Sequence, residues 1–357
     1  MFKKIVYAIA IAIASVSLLA CSNSGDPYQQ TSAALAEQVI YRAHQDWQAS
    51  NQKLLSSAQG FCQGEQDLAQ TRDDFLQAQH NWAALQPLLI GPLNEGNRAW
   101  QVQFWPDKKN LVARQVKQFL KANPEPSLAS LERASVVVQG LSAYEYVLFD
   151  PELDLADSAQ KQRYCPLLEN IAAHQQKLAD EVVTQWQGEQ GMLAQLTTFP
   201  NQRYAEPLEA LTAILQAQVI SLDGLKKKLG TPLGRSIKDI AQPYQAQSWR
   251  SQASLSNLSA EIDSALAIWQ GAEQHSIRAL LATEHADLVK QIDAAYLQAQ
   301  QELAAFKQPL TLLLQDEQQR QALFTLYDSF DRLHRLHEKD VARALGVQLG
   351  FNAHDGD

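Results

Sequence analysis

The sequence contains little glycine, proline and cysteine for its length. Its 357 residues include 15 glycines, 13 prolines and 3 cysteines. Runs of β-branched residues are rare, and no segment shows the regular alternation of apolar and polar residues expected of the strands in a sheet. Alanine and glutamine, which are compatible with helices, are frequent instead. The composition therefore predicts a helical protein.

Several functional classes lack their sequence signatures here. No segment carries a basic stripe, and the formal net charge is −9, so nucleic acid is not expected as a partner. Neither the H-E-x-x-H motif of zinc proteases nor the G-x-S-x-G motif of serine hydrolases occurs. The sequence by itself therefore points to no catalytic residue.

The N-terminus has the features of an export signal. An almost entirely apolar segment, residues 5–16, is followed by the lipobox "LLAC", which ends at Cys21. We expect residues 1–20 to be a lipoprotein signal peptide, Cys21 to carry the lipid, and residues 21–30 to form a polar tether. Because Ser22 follows the cysteine in place of aspartate, the predicted location is the periplasmic side of the outer membrane.

The two cysteines of the mature chain are Cys62 and Cys165. An exported protein folds in an oxidising compartment, which favours a disulfide between them over two buried free thiols. The length of the mature chain exceeds that of most single domains. We predict an N-terminal helical domain at residues 31–195 and a C-terminal helical bundle at residues 196–357, divided near a weakly patterned segment.

Glu145 occupies an apolar position in a predicted helix. Residues spaced alternately by three and four form one helical face: Leu131, Ala134, Val138, Leu141, Glu145 and Leu148. A buried carboxylate without a partner costs several kcal/mol, so it needs a partner, a proton or a cation. Two interpretations follow, a buried ion pair with Arg98 or Arg114 and a polar pocket that binds a ligand.

Several sequence blocks, in order along the chain, resemble the imelysin-like family, and most closely a branch of predicted periplasmic lipoproteins. The blocks are "GPLNEGNRAWQVQFWPDKKN", "VVVQGLSAYEYVLFD", "RYCPLLENIA", "SWRSQASLSNL" and "LGVQLGFNAHDGD". The resemblance implies an all-α fold of two helical-bundle domains with a functional site at their interface. The family is named for a peptidase, and an iron-uptake protein with the same domain binds iron.

The hallmark motif of that family, G-x-H-x-x-E, corresponds here to Gly140, Ser142 and Glu145. Serine replaces the histidine, and serine is a poor metal ligand beside imidazole. The resemblance also implies that Arg98 and Asp107 line the same cleft as Glu145.

Arg250 and Asn352 are two further candidates for the cleft. Arg250 either reaches across the interface or belongs to a helix start, in which Ser251 or Ser254 is the N-cap and Trp249 is a hydrophobic staple. Asn352 lies in a C-terminal tail rich in turn-forming residues.

A second candidate metal site consists of Asp331, His334 and Glu338, which share one face of a predicted helix. The alternative interpretation is a solvated helix surface. Glu145, His334 and Glu338 are thus the candidate ligands for iron or another divalent metal. The leading hypothesis is a non-enzymatic, lipid-anchored binding protein associated with iron uptake. The alternatives are an imelysin-type metallopeptidase and a structural partner of an outer-membrane receptor or iron-transport component.

Overall fold

The protein is all-α, as predicted. The computed structural model describes residues 25–272 and 274–350, and this part of the chain contains no β-strand. The helices of the N-terminal half are α1 (Pro27–Leu35), α2 (Tyr41–Gln63), α3 (Leu68–Leu85), α4 (Arg98–Val102), α5 (Leu111–Ala122), α6 (Leu128–Glu132), α7 (Leu141–Phe149) and α8 (Ser158–Trp186). Those that follow are α9 (Met192–Thr197), α10 (Pro207–Leu233), α11 (Ser254–Gln270), α12 (Ile277–Leu281), α13 (Ala286–Ala305), α14 (Leu310–Leu313), α15 (Glu317–Arg335) and α16 (Ala342–Ala344).

Aspartate side chains begin four of these helices. Asp26, Asp67, Asp157 and Asp316 each accept a hydrogen bond from a backbone N–H in the first turn of α1, α3, α8 and α15, respectively. These bonds satisfy N–H groups that have no partner within the helix and place negative charge at the positive end of the helix dipole. These aspartates thereby set where four of the helices start.

The long helices pack in two groups. Helix α2 packs against α3 and α8, whereas α15 packs against α10 and α13. Helix α11 contacts α3, and α1 contacts α10, so the two groups share a continuous apolar core. The predicted division of the chain near residue 195 remains a prediction.

The predicted disulfide between Cys62 and Cys165 is confirmed. It joins the end of α2 to α8, with 5.6 Å between the two Cα atoms. The bond closes a loop with a sequence separation of 103 residues. It therefore links α2 and α8, which pack against each other, covalently.

The helical face predicted around Glu145 is interrupted, which corrects the prediction of one continuous helix. The amide of Gln139 donates hydrogen bonds to the carbonyl oxygens of Leu131, Glu132 and Ala134, and so ends α6. Gly140 is extended and precedes α7. Polar side chains near the break satisfy backbone groups that a continuous helix would pair internally.

Helix α10 is long and apolar enough to cross a membrane by length and composition alone. Its most apolar 18-residue window is 56% buried within the protein. It packs against α15, as the core helix of a bundle does.

Candidate functional site

Glu145 lies in α7, a helix in which every residue from Leu141 to Leu148 is buried. Glu145 is 4% exposed, and its Oε1 accepts hydrogen bonds of 2.8 Å from both the backbone N–H and the hydroxyl of Ser251. Burial raises the pKa of Glu145, while the bonds from Ser251 and the nearby charge of Arg250 oppose that rise. The carboxylate therefore has hydrogen-bond donors, but these are not the predicted Arg98 or Arg114.

Arg250 joins the loop before α11 to the N-terminal half of the chain. Its Nε donates to Asp150 Oδ2 at 2.8 Å, and its Nη2 donates to Asn110 Oδ1 at 2.6 Å. Its Nη1 lies 3.5 Å from Asp107 Oδ2. One buried guanidinium thus neutralises two carboxylates that are far from it in sequence.

Two aromatic rings enclose the same guanidinium. Its central carbon lies 4.4 Å from the ring centre of Trp249 and 5.4 Å from that of Tyr146. Cation–π contacts of this kind are stronger where water is excluded. Arg250 is therefore fixed by both charge and packing.

Gly140 and Ser142 hold the segment that leads to Asp107. A Cβ on Gly140 would lie 2.3 Å from the carbonyl oxygen of Val102, a distance that no side chain tolerates. The hydroxyl of Ser142 donates a 2.7 Å hydrogen bond to the carbonyl oxygen of Phe104. Both residues therefore contact the backbone of residues 101–104, the segment that leads to Asp107.

Left-handed backbone conformations concentrate in the two loops of the site. Lys109 and Asn110 have φ of 59° and 52°, and Ser248 and Gln252 have φ of 56° and 59°. For residues other than glycine this conformation is uncommon, and it persists where surrounding contacts enforce it. Strained residues of this kind cluster at ligand-binding sites.

We call the group formed by Arg250, Asp107, Asn110, Glu145, Asp150 and Ser251 the Arg250 cluster. Two spaces of very different size adjoin it. The cavity between Ser142, Glu145 and Arg250 has a volume of about 10 Å³, room for roughly one water molecule. Beside it lies an open groove of about 520 Å³, which we call the aromatic groove. The groove is lined by Asp107, Lys109, Asn110, Gln242, Tyr244, Gln245 and Trp249.

The residues around Glu145 do not fit a resident metal ion. Both hydrogen bonds from Ser251 go to the carboxylate, and the hydroxyl of Ser142 donates to a carbonyl oxygen. Arg250 already supplies positive charge to Asp107 and Asp150. In residues 25–272 and 274–350, no group of three or more His, Cys, Asp or Glu side chains could hold a metal ion.

The second candidate metal site, the helix face with Asp331, His334 and Glu338, already contacts a positively charged side chain of the protein, that of Lys226. Lys226 Nζ lies 3.1 Å from Asp331 Oδ1 and 3.3 Å from both Asp223 Oδ1 and His334 Nδ1. His334 is buried, which corrects the interpretation of this face as a solvated surface. The cause is the packing of α15 against α10, which carries Lys226. Glu338 follows in a π-helical turn.

Arg98 does not join the cluster. It donates to the carbonyl oxygen of Pro92 at 2.7 Å and to Gln185 Oε1 at 3.2 Å, so its predicted place beside Glu145 is wrong. Cys21 and Asn352 lie outside the described residues. Of the predicted cleft, the structure therefore brings together Glu145, Ser142, Gly140, Asp107 and Arg250.

Sequence reasoning missed Asp150, Asn110 and the role of Ser251. The "SWRS" block did indicate this loop, but one of its two interpretations was a helix start with Ser251 or Ser254 as the N-cap. Helix α11 starts at Ser254, and its N-cap, Ala253, offers no side-chain hydrogen bond. Ser251 instead donates to Glu145. A serine hydroxyl can donate a hydrogen bond to a carboxylate as well as accept one from an N–H group at a helix start.

The chain matches the family model described as Imelysin over residues 40–337. An imelysin-like protein from Psychrobacter arcticum 273-4 has a similar structure, with a TM-score of 0.76, 19% identity, and coverage of 92% of this chain and 98% of that one. A putative iron-regulated protein A precursor from Parabacteroides distasonis ATCC 8503 has a TM-score of 0.75, 16% identity, and coverage of 90% and 95%. No curated protein matches significantly. At these identities the two structures show the fold alone.

Proposed function

Since the chain belongs to the imelysin family, we propose that it is a non-enzymatic binding protein associated with iron uptake. The observation that supports binding over catalysis is the Arg250 cluster beneath the aromatic groove. The carboxylates of the cluster are engaged by Arg250, by Ser251 or by a backbone N–H. Such a cluster forms a fixed surface next to the groove in which a ligand could bind. A metallopeptidase instead needs carboxylates and imidazoles that are free to hold a metal.

The proposed location is the periplasmic side of the outer membrane. The support is the sequence "LLAC", in which Cys21 would carry the lipid. Several acyl chains hold a protein at a bilayer far better than one. An anchored binding protein would deliver its ligand to an outer-membrane receptor or an iron-transport component nearby, and we propose such a partner.

The link to iron rests on the family. One structural neighbour is named an iron-regulated protein. Because the residues around Glu145 do not fit a bare metal ion, we propose that iron reaches this protein as a complex with another molecule.

Growth under iron limitation and a cleavage assay together test the function. A strain lacking the protein is expected to grow more slowly than its parent in iron-poor medium, and the wild-type protein should restore growth. The Cys21→Ser variant should lose acyl labelling and restore growth less well. Equal growth of parent and deletion strain would remove the link to iron. Metal-dependent peptide cleavage that disappears in Glu145→Ala would show an enzyme instead.

A further inference from the structure

We propose that the aromatic groove binds a flat organic anion, an aromatic carboxylate or catecholate, by stacking on Tyr244 and by ion pairing with Lys109. The inference rests on the proposed function as a binding protein and names the chemical class of its ligand. Such a group occurs both as a free acid and as the arm of an iron chelate. The groove would recognise the ring and its negative charge in either case.

The size of the groove sets the size of the ligand. Small-molecule sites commonly occupy about 300–1,000 Å³, and the groove, at about 520 Å³, falls within that range. The adjoining cavity at Glu145, about 10 Å³, has room for one water molecule only. A ligand with one or more rings therefore fits the groove and not the cavity.

Two aromatic side chains give the groove its stacking surface. The ring centres of Tyr244 and Trp249 are 4.9 Å apart with an angle of 71° between the ring planes. In such an edge-on contact at most one face of Tyr244 is covered, and this residue is 66% exposed. A large exposed aromatic face contributes little to folding, whereas it can stack on a flat ligand.

The polar groups that line the groove include an ammonium group and an amide NH₂ group that can bind an anion. Asp107, its only carboxylate, faces Arg250 and accepts a bond from the N–H of Val112. In the described part of the chain the ammonium of Lys109 has no ion-pair partner. The oxygen of Asn110 accepts from Arg250, which leaves its NH₂ group to donate outward. A ligand that supplies acceptors, and above all negative charge, matches this arrangement.

The groove is preorganised. Lys109 and Asn110 are held in the left-handed conformation, with φ of 59° and 52°. The hydrogen bond from Arg250 holds the Asn110 side chain in place, and Trp105 Nε1 donates a 3.0 Å hydrogen bond to the carbonyl oxygen of Gln245. Walls that are already ordered lose little entropy when the ligand binds.

Isothermal titration calorimetry tests the inference with 2,3-dihydroxybenzoate, its ferric complex and neutral benzyl alcohol. We expect both anionic probes to bind and the alcohol to bind at least about tenfold more weakly, since hydrogen bonds to charged groups are the strong ones. Lys109→Gln and Tyr244→Ser should each weaken binding by about tenfold. The matched control is Lys108→Gln, which removes an exposed neighbouring charge that does not line the groove and should leave affinity unchanged.

The outcomes separate the ligand class from the proposed function. Tighter binding of the ferric complex than of the free acid supports an iron chelate as the natural ligand, and equal binding supports a free aromatic acid. Absence of binding by both anions, equal binding of benzyl alcohol, or no effect of Lys109→Gln and Tyr244→Ser would overturn the inference. A groove that binds the anions in a protein whose loss leaves iron-limited growth unchanged would remove only the link to iron.

Discussion

Replacing Arg250 by methionine should strongly destabilise the protein. Methionine keeps much of the length of the side chain but none of its charge. The arginine side chain is 3% exposed and that of Asp150 is 7% exposed, so water cannot solvate the Asp150 carboxylate once the arginine charge is removed. The substitution removes two charge-assisted hydrogen bonds, to Asp150 and Asn110, and the ion pair with Asp107. Breaking a buried pair by removing one partner costs about 3–5 kcal/mol, which is the expected loss.

Urea denaturation followed by circular dichroism measures this loss. The matched control is Arg203→Met, which removes an arginine from an exposed pair with Glu95, in which the side chains are 36% and 52% exposed. Exposed pairs contribute about 0–1 kcal/mol, so the control should change stability by no more than that. A double-mutant cycle with Asp150→Asn should show a coupling free energy, because the two residues are in direct contact. An Arg250→Met variant as stable as Arg203→Met, or a coupling of zero, would refute the role given to Arg250.

Three further predictions concern the disulfide, Glu145 and Gly140. Replacing both Cys62 and Cys165 by serine should lower the free energy of unfolding by about 2–4 kcal/mol in urea denaturation, since the bond closes a long loop. Burial raises the pKa of Glu145 above 4.5, so its contribution to stability is complete below that pH and is lost as pH rises through the raised value. The stability of wild type relative to Glu145→Gln should therefore fall with rising pH, by at most about 1.4 kcal/mol per unit, and a constant difference would refute this. Gly140→Ala should cost about 1–3 kcal/mol in the same assay, because its Cβ would overlap the carbonyl oxygen of Val102.

The features predicted correctly from the sequence depend on local pattern or on the expected compartment. The helical class follows from composition, and the pairing of Cys62 with Cys165 follows from the expectation that an exported protein folds in an oxidising environment. The burial of Glu145 follows from the apolar residues around it, even though its helix starts only at Leu141. The resemblance to a family added Asp107 to the site, and it added Arg98 wrongly.

The partners of the site residues could not be predicted, because they lie far apart in the chain. Arg250 meets Asp150 across 100 residues and Asn110 across 140 residues, and no spacing rule connects such positions. Ser251 has the chemistry of a helix cap and of a carboxylate partner, and only the tertiary structure selects between them. His334 is buried because of the packing of α15 against α10, which the charge pattern of α15 alone does not show.

Metal analysis of the purified protein tests the central claim most directly. The claim is that Arg250, a cation of the chain itself, neutralises the buried carboxylates beside Glu145. After incubation with Fe²⁺ or Zn²⁺ and dialysis, mass spectrometric metal analysis should find well under one equivalent of metal, and the same amount in wild type and Glu145→Ala. One equivalent in wild type that is lost in Glu145→Ala would contradict the claim and restore a metal to this site.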